Sequence, residues 1–175
     1  GTVSGQVDTA SQKLDLSNRL DGPDVGRLNL TTPSGLGGAV TATGSIKGPW
    51  SSMQAQARVN IRDVTQSRLK PSTLTANLTA RELSASPAGT LNLELERSSS
   101  SVEAGLDFAL TNQTLSVENV ALKGPETWLT GQASWPLTGQ TGQRASLAFQ
   151  AGSLSWLQTF IPFACTGEAE LRAEY

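Results

Sequence analysis

Apolar and polar residues alternate one by one along much of this chain. The longest alternating run occupies residues 53–62, and its apolar members are Met53, Ala55, Ala57, Val59 and Ile61. Comparable runs occupy residues 74–81, 91–96, 102–110 and 168–175. Successive side chains of a β-strand point to opposite faces, so each run predicts a strand with one apolar and one polar face. Such strands are typical of antiparallel sheets that have one solvated side.

Weaker alternation elsewhere, for example at Leu28 and Leu30, brings the expected number of strands to about twelve. Short segments that contain Gly and Pro separate the strands. The serine run Ser98–Ser101 predicts a solvated hairpin tip. Between Val117 and Val120 the alternation slips by one residue, which predicts a β-bulge or a break in the strand.

One segment, residues 153–160, departs from the period of two. Trp156, Leu157 and Phe160 lie at helical spacing, and Pro162 follows closely. The spacing predicts a helix of about two turns that ends before the proline. Its simplest role is a cap over the edge of the sheet, and the alternative is an element that binds a ligand or partner.

The expected sheet has an apolar face that one short helix cannot cover. Twelve strands spaced about 4.8 Å apart form a sheet about 55 Å wide. An apolar patch of this size is not left in contact with water. Three arrangements would shield it: a flattened sandwich, a closed barrel, or a curved trough that holds an apolar ligand. An ordinary sandwich core explains the composition of this face equally well.

The composition excludes several chemistries. The chain has 175 residues, 16% of them charged, and a net charge of −2, so no basic surface for nucleic acid is expected. It contains no histidine, which excludes a Ser-His-Asp triad and histidine-ligated metals. The lone cysteine, Cys165, excludes an internal disulfide and a cysteine-rich zinc site. We therefore predict no metal and no cofactor.

The chain contains no run of 18 apolar residues and begins without a methionine or a signal peptide. We expect residues 1–175 to be a single β-rich domain cut from a longer protein.

Several segments resemble the TamB family of envelope proteins, which is related to the AsmA group. The first is a strand that ends in a turn and continues as Leu-Thr-Gly, Leu122–Gly131. The second is a short Leu-rich helix, Leu154–Phe160, followed by Pro162, and the third is an alternating strand that begins with glycine, Gly167–Leu171. The fourth, Gly44–Pro49, is an alternating strand that starts with glycine and ends in Gly-Pro. The likeness covers most of the chain and rests on pattern and composition.

The resemblance implies an all-β fold in which a long, curved antiparallel or mixed sheet rolls into a U-shaped groove with an apolar interior. In the family, the groove crosses the periplasm of a Gram-negative bacterium, from an inner-membrane anchor to an outer-membrane barrel of the TamA/BamA type. The family is implicated in phospholipid transport and in the assembly of outer-membrane proteins. The implied partners are therefore phospholipid, nascent outer-membrane protein and that barrel.

These expectations combine into a hydrophobic conduit without enzymatic activity. Its apolar face would shield lipid acyl chains or nascent protein strands, while Arg58, Arg62, Glu94 and Glu96 would face water. The expected lining residues are Val59, Ile61, Leu74, Leu78, Leu91, Leu93, Leu95, Leu106, Phe108 and Leu110.

Two alternatives remain. In one, an exposed edge strand of the sheet templates outer-membrane protein strands by β-augmentation, without carrying lipid. The other is catalysis by the carboxylate pairs Asp21/Asp24 or Glu168/Glu170. Turn geometry explains the first pair, and the polar side of an alternating strand explains the second.

Overall fold

The computed structural model describes residues 1–23, 37–66, 69–137, 142–160, 164 and 166–175. The described residues form eleven strands and one short 3₁₀ helix, Ser155–Thr159. The strands are β1 Thr2–Asp8, β2 Lys13–Gly22, β3 Gly37–Pro49, β4 Gln54–Gln66, β5 Leu69–Arg81, β6 Ala88–Arg97, β7 Ser100–Thr111, β8 Thr114–Gly124, β9 Thr127–Pro136, β10 Arg144–Ala151 and β11 Ala169–Glu174. The all-β expectation is confirmed; the strand expected at Leu28 and Leu30 lies outside the described residues.

All eleven strands belong to one sheet, and their spatial order is the sequence order from β1 to β11. Every pairing is antiparallel, so the mixed sheet also considered is wrong for these strands. Short connections explain most of this order, because a tight turn returns the chain beside the strand it has just left. The connections from β2 to β3, from β9 to β10 and from β10 to β11 are longer. Asn112 and Gln113 form one such turn, both with positive φ, as two-residue hairpins require. Ser98 and Ser99 form the tip between β6 and β7, whereas Ser100 and Ser101, which were also expected in the tip, begin β7.

The predicted slip in β8 is a bulge. Val117 pairs with Ala133 and Val120 pairs with Gly131, so two residues of β8 oppose one residue of β9. Asn119 takes a φ of 50°, and its side-chain amide donates a 2.7 Å hydrogen bond to the Asp107 carboxylate. Asparagine tolerates this left-handed conformation better than most residues. The extra residue returns Val120 to the face that carries Val117.

The sheet is open: among the described strands, β1 and β11 each pair with one neighbour only. This arrangement excludes a closed barrel and a sandwich of these strands. The solvent-accessible surface is 11505 Å², whereas a compact monomer of this mass exposes about 8,100 Å². The buried apolar residues of the described chain are Val40, Val64, Ala151 and Phe160.

Close packing between β5 and β6 leaves no room for a side chain at Gly89. A Cβ at Gly89 would overlap the Thr79 carbonyl oxygen, which is rigid backbone, and would also lie 2.9 Å from the Phe108 ring. A Cβ at Gly105 would meet only the Asn92 side-chain oxygen within 3.4 Å, and that group can rotate away. Gly89 and Gly105 therefore tolerate a methyl group differently.

We expect Gly89→Ala to lower the free energy of unfolding by about 1–3 kcal/mol, because the β5–β6 pair must separate to admit the methyl group. Gly105→Ala is the matched control and should change it by less than about 1 kcal/mol, with stabilisation favoured. Urea unfolding monitored by circular dichroism measures both values. Equal losses in the two variants would contradict the register described above.

Candidate binding surface on the apolar face of the sheet

The strand register places all ten predicted lining residues on one face. Directly paired residues share a face, and three cross-strand rows are Ile61–Leu74–Leu95, Val59–Ala76–Leu93 and Leu78–Leu91–Leu106. Phe108 and Leu110 follow Leu106 at intervals of two along β7 and so point to the same side. We call this side of the sheet the apolar face.

The apolar face extends further than the ten predicted residues. The row through Ala104 continues across β8, β9, β10 and β11 as Leu122, Leu129, Phe149 and Leu171. The alternation in β8 to β11 already indicated an apolar side on each of these strands. Only the pairing register shows that their apolar side chains lie in the same row as Ala104. The apolar face is therefore continuous to the last strand.

Most of the predicted lining residues are half-buried by one another rather than by a covering layer. Leu93 is the exception, with 37% of its surface exposed. Its direct cross-strand neighbours are Ala76 and Ala104, which are too short to cover a leucine. Leu93 therefore stands above its surroundings as the most accessible of the ten.

The 3₁₀ helix covers one end of the apolar face. The Trp156 indole N–H donates a 2.7 Å hydrogen bond to Thr127 Oγ1, and its ring lies 3.1 Å from where a Cβ of Gly124 would be. Because Gly124 shares its face with Leu122, the ring lies on the apolar side. The backbone N–H of Lys70 donates a 2.7 Å hydrogen bond to the backbone carbonyl oxygen of Phe160. We call this the capped end.

The helix differs from its predicted form in two respects. It is a single five-residue 3₁₀ segment instead of two helical turns, and Leu154 offers it no side-chain cap. Short uncapped segments favour 3₁₀ geometry because helix nucleation is costly. It also contacts Lys70 of β5 and Thr127 of β9, which are interior strands. The expectation of a cap over a sheet edge is therefore wrong; Pro162 lies outside the described residues.

Shallow pockets lie on both faces of the sheet. One of about 380 Å³ over β1–β4 is lined partly by apolar-face residues, including Val3, Leu16, Ile46 and Val59. A larger one of about 530 Å³ over β4–β8 is lined mainly by the opposite face, including the row Gln56, Thr79, Thr90, Asp107 and Glu118. The apolar interior of a groove consequently stays a prediction.

The opposite face is polar and carries a cluster of carboxylates. Arg58, Arg62 and Glu96 are exposed as expected, whereas Glu94 is half-buried. Glu94 lies directly opposite Glu103, and Glu96 follows two residues along the same strand. The negative charge of Glu96, then desolvation, then the charge of Glu103 raise the pKa of Glu94 above its ordinary value of 4.5.

Two of the carboxylates considered for catalysis, Asp21 and Glu170, lie beside an arginine of their own strand. Asp21 accepts a 2.8 Å hydrogen bond from Arg19, which holds the pKa of Asp21 below its usual value. Glu170 lies 3.5 Å from Arg172. Asp24 and Cys165 lie outside the described residues. Within the described ranges, no three ligating side chains gather into a metal site.

The comparisons with other proteins give no relative. No protein-family model, curated protein or solved structure matches the chain. The described part of the chain also has no helix of the length and apolar character needed to cross a membrane.

Glu94→Gln should stabilise the protein at neutral pH. A raised folded-state pKa means that the fold favours the protonated Glu94 carboxyl. The protonated carboxyl therefore stabilises the fold below pH 4.5, and this stabilisation is lost as the pH rises through the folded-state pKa. The variant removes the repulsion that remains at pH 7. We expect a higher urea midpoint than wild type at pH 7 and no gain at pH 4. Exposed Glu118→Gln is the control, and equal gains at both pH values would contradict the assignment.

Proposed function

We propose that this chain forms part of a hydrophobic conduit in a periplasm-spanning envelope protein of the TamB type. In this proposal, the apolar face shields lipid acyl chains or nascent outer-membrane protein segments between the inner and outer membranes. The observation that carries the proposal is the continuous apolar face, which crosses the sheet to β11. Among the described residues, the 3₁₀ helix covers this face at one end.

The physical support is the free energy of an uncovered apolar surface. Burying apolar area is favourable by about 25 cal/mol per Å², or about 0.8 kcal/mol for each methylene of an acyl chain. Leu20, Ile46, Leu93 and Leu171 are large apolar side chains of this face that remain more than one third exposed. A flexible aliphatic ligand would cover them without requiring a particular shape.

The resemblance to TamB supplies the cellular part of the proposal. It motivates the periplasmic location, the inner-membrane anchor of the parent protein and the outer-membrane barrel of the TamA/BamA type as partner. The sheet order supports it indirectly, because a meander of antiparallel strands extends by adding further strands at its open edges. In this proposal, the chain binds cargo and catalyses no reaction.

Leu93→Gln tests the conduit, because it makes the most accessible predicted lining residue polar at nearly constant size. We expect it to weaken binding of a fluorescent diacylglycerol by about five- to thirtyfold, from the loss of about 1–2 kcal/mol of apolar contact. Asn92→Gln is the matched control, since Asn92 directly precedes Leu93 in β6 and is exposed on the polar face. Fluorescence titration of the purified chain measures both affinities.

Two results would contradict the conduit: no binding of diacylglycerol by the wild-type chain, or equal losses in the two variants. Competition by an amphipathic strand peptide, with the lipid bound weakly, would assign the apolar face to protein cargo instead.

A second function, β-augmentation, is favoured by strand β1, which pairs with one neighbour among the described residues. This strand is exposed throughout, with Val3 77% and Val7 55% exposed. Its only charged residue is Asp8, at its end, whereas β11 carries Glu170, Arg172 and Glu174. Charges on an edge strand oppose the addition of further strands, so β1 is the better template of the two.

Val3→Lys should abolish strand addition at β1, because a lysine on an edge strand opposes pairing with a new strand. We expect the affinity for a fluorescent peptide of alternating apolar and polar residues to fall at least tenfold, measured by anisotropy. Val3→Thr keeps a β-branched, uncharged side chain and should bind normally. Unchanged binding in Val3→Lys, or a loss with Leu171→Lys on β11 instead, would rule out β1 as the template.

A further inference from the structure

One cation lies on the apolar face at the capped end. Arg97 is the last residue of β6 and follows Leu91, Leu93 and Leu95 at intervals of two. Its pairing with Ser100 continues the regular β6–β7 register, so its side chain points to the same side as these leucines. Arg97 extends the alternation of residues 91–96 by one residue and is the one charged member of an otherwise aliphatic series.

The Arg97 guanidinium has no partner among the described residues. Its Nη1 atom is enclosed and makes no hydrogen bond. The ion pairs of the described chain involve Arg19, Lys47 and Arg172, and none involves Arg97. The residue as a whole is half-buried, so part of it remains in contact with solvent.

Lys70 adds a second positive charge at the capped end. Its Nζ donates a 2.5 Å hydrogen bond to the backbone carbonyl oxygen of Gln158 in the 3₁₀ helix. A lysine ammonium has three N–H donors, so two remain for other acceptors. Lys70 forms no ion pair with a carboxylate of the described residues.

An enclosed guanidinium nitrogen without a hydrogen-bond partner is costly, and native structures usually satisfy such an atom with an anion or water. Arginine matches the fork of a phosphate or carboxylate oxygen pair better than any other side chain. Leu95 precedes Arg97 by two residues on the same face, and the direct cross-strand partner of Arg97 is Ser100. A ligand that satisfies both surroundings has an anionic head and an apolar tail.

We propose that Arg97, together with Lys70, binds the phosphate of an anionic lipid whose acyl chains lie along the apolar face. This inference rests on the proposed conduit and adds an orientation to it. The head group lies at the capped end, beneath the 3₁₀ helix, and the chains extend toward the opposite end of the strands.

The test compares two fluorescent lipids with identical acyl chains, phosphatidic acid and diacylglycerol, on the purified chain. We expect wild type to bind phosphatidic acid about tenfold more tightly, as a charge-assisted hydrogen bond provides. Arg97→Met should reduce this ratio to about one while leaving the affinity for diacylglycerol unchanged. Arg62→Met is the matched control, since Arg62 is exposed on the opposite side of β4, and it should keep the wild-type ratio.

The unfolding free energy of the lipid-free chain gives a second readout. Arg97→Met should leave it unchanged or raise it, because the variant removes an unsatisfied polar group. A clear loss of stability would assign Arg97 to the fold and overturn the proposal.

The remaining outcomes separate this inference from the conduit. If wild type binds both lipids equally, the phosphate site is wrong and the conduit stands. If it binds neither lipid, both proposals fail. Displacement of phosphatidic acid by millimolar inorganic phosphate would show that Arg97 recognises the free ion, which contradicts a site built for a lipid head group.

Discussion

The main-chain hydrogen-bond ladder between neighbouring strands is the interaction on which this structure depends. A protein with a closed core derives most of its stability from buried apolar side chains. Here the apolar residues that are buried in the described chain are Val40, Val64, Ala151 and Phe160. Ten successive antiparallel pairings hold the sheet together, and each side chain is shielded chiefly by neighbours on its own face. The uncovered apolar face is a direct consequence of this single-layer construction.

A single-layer sheet requires that every strand keep the same phase, because a slip of one residue would exchange its two faces. The bulges in β4 and β8 meet this requirement. Asp63 and Asn119 adopt positive φ at these points, and the following valines, Val64 and Val120, return to the apolar side. The irregular positions of the sheet thus preserve the regularity of its apolar face.

Alternation predicted the strands and their faces because the period of two is local and every residue contributes to it. It did not predict the exposure of Leu93, which depends on Ala76 and Ala104 in other strands. The helix at residues 153–160 was predicted too long, because three well-spaced apolar residues do not supply the capping that two turns need. Arg97 was visible in the alternation but was not recognised, since a charged residue at the end of a strand resembles a solvated terminus.

The capped end and the unpaired cation are connected by electrostatics. A guanidinium in open water needs no partner, and one in a closed core would be paired with a carboxylate. Arg97 occupies an intermediate position, in which one guanidinium nitrogen is enclosed and the described residues supply no counter-charge. The helix makes this end of the apolar face chemically different from the other. In the proposed conduit, this difference would give an amphiphile with a negative head a preferred direction along the face.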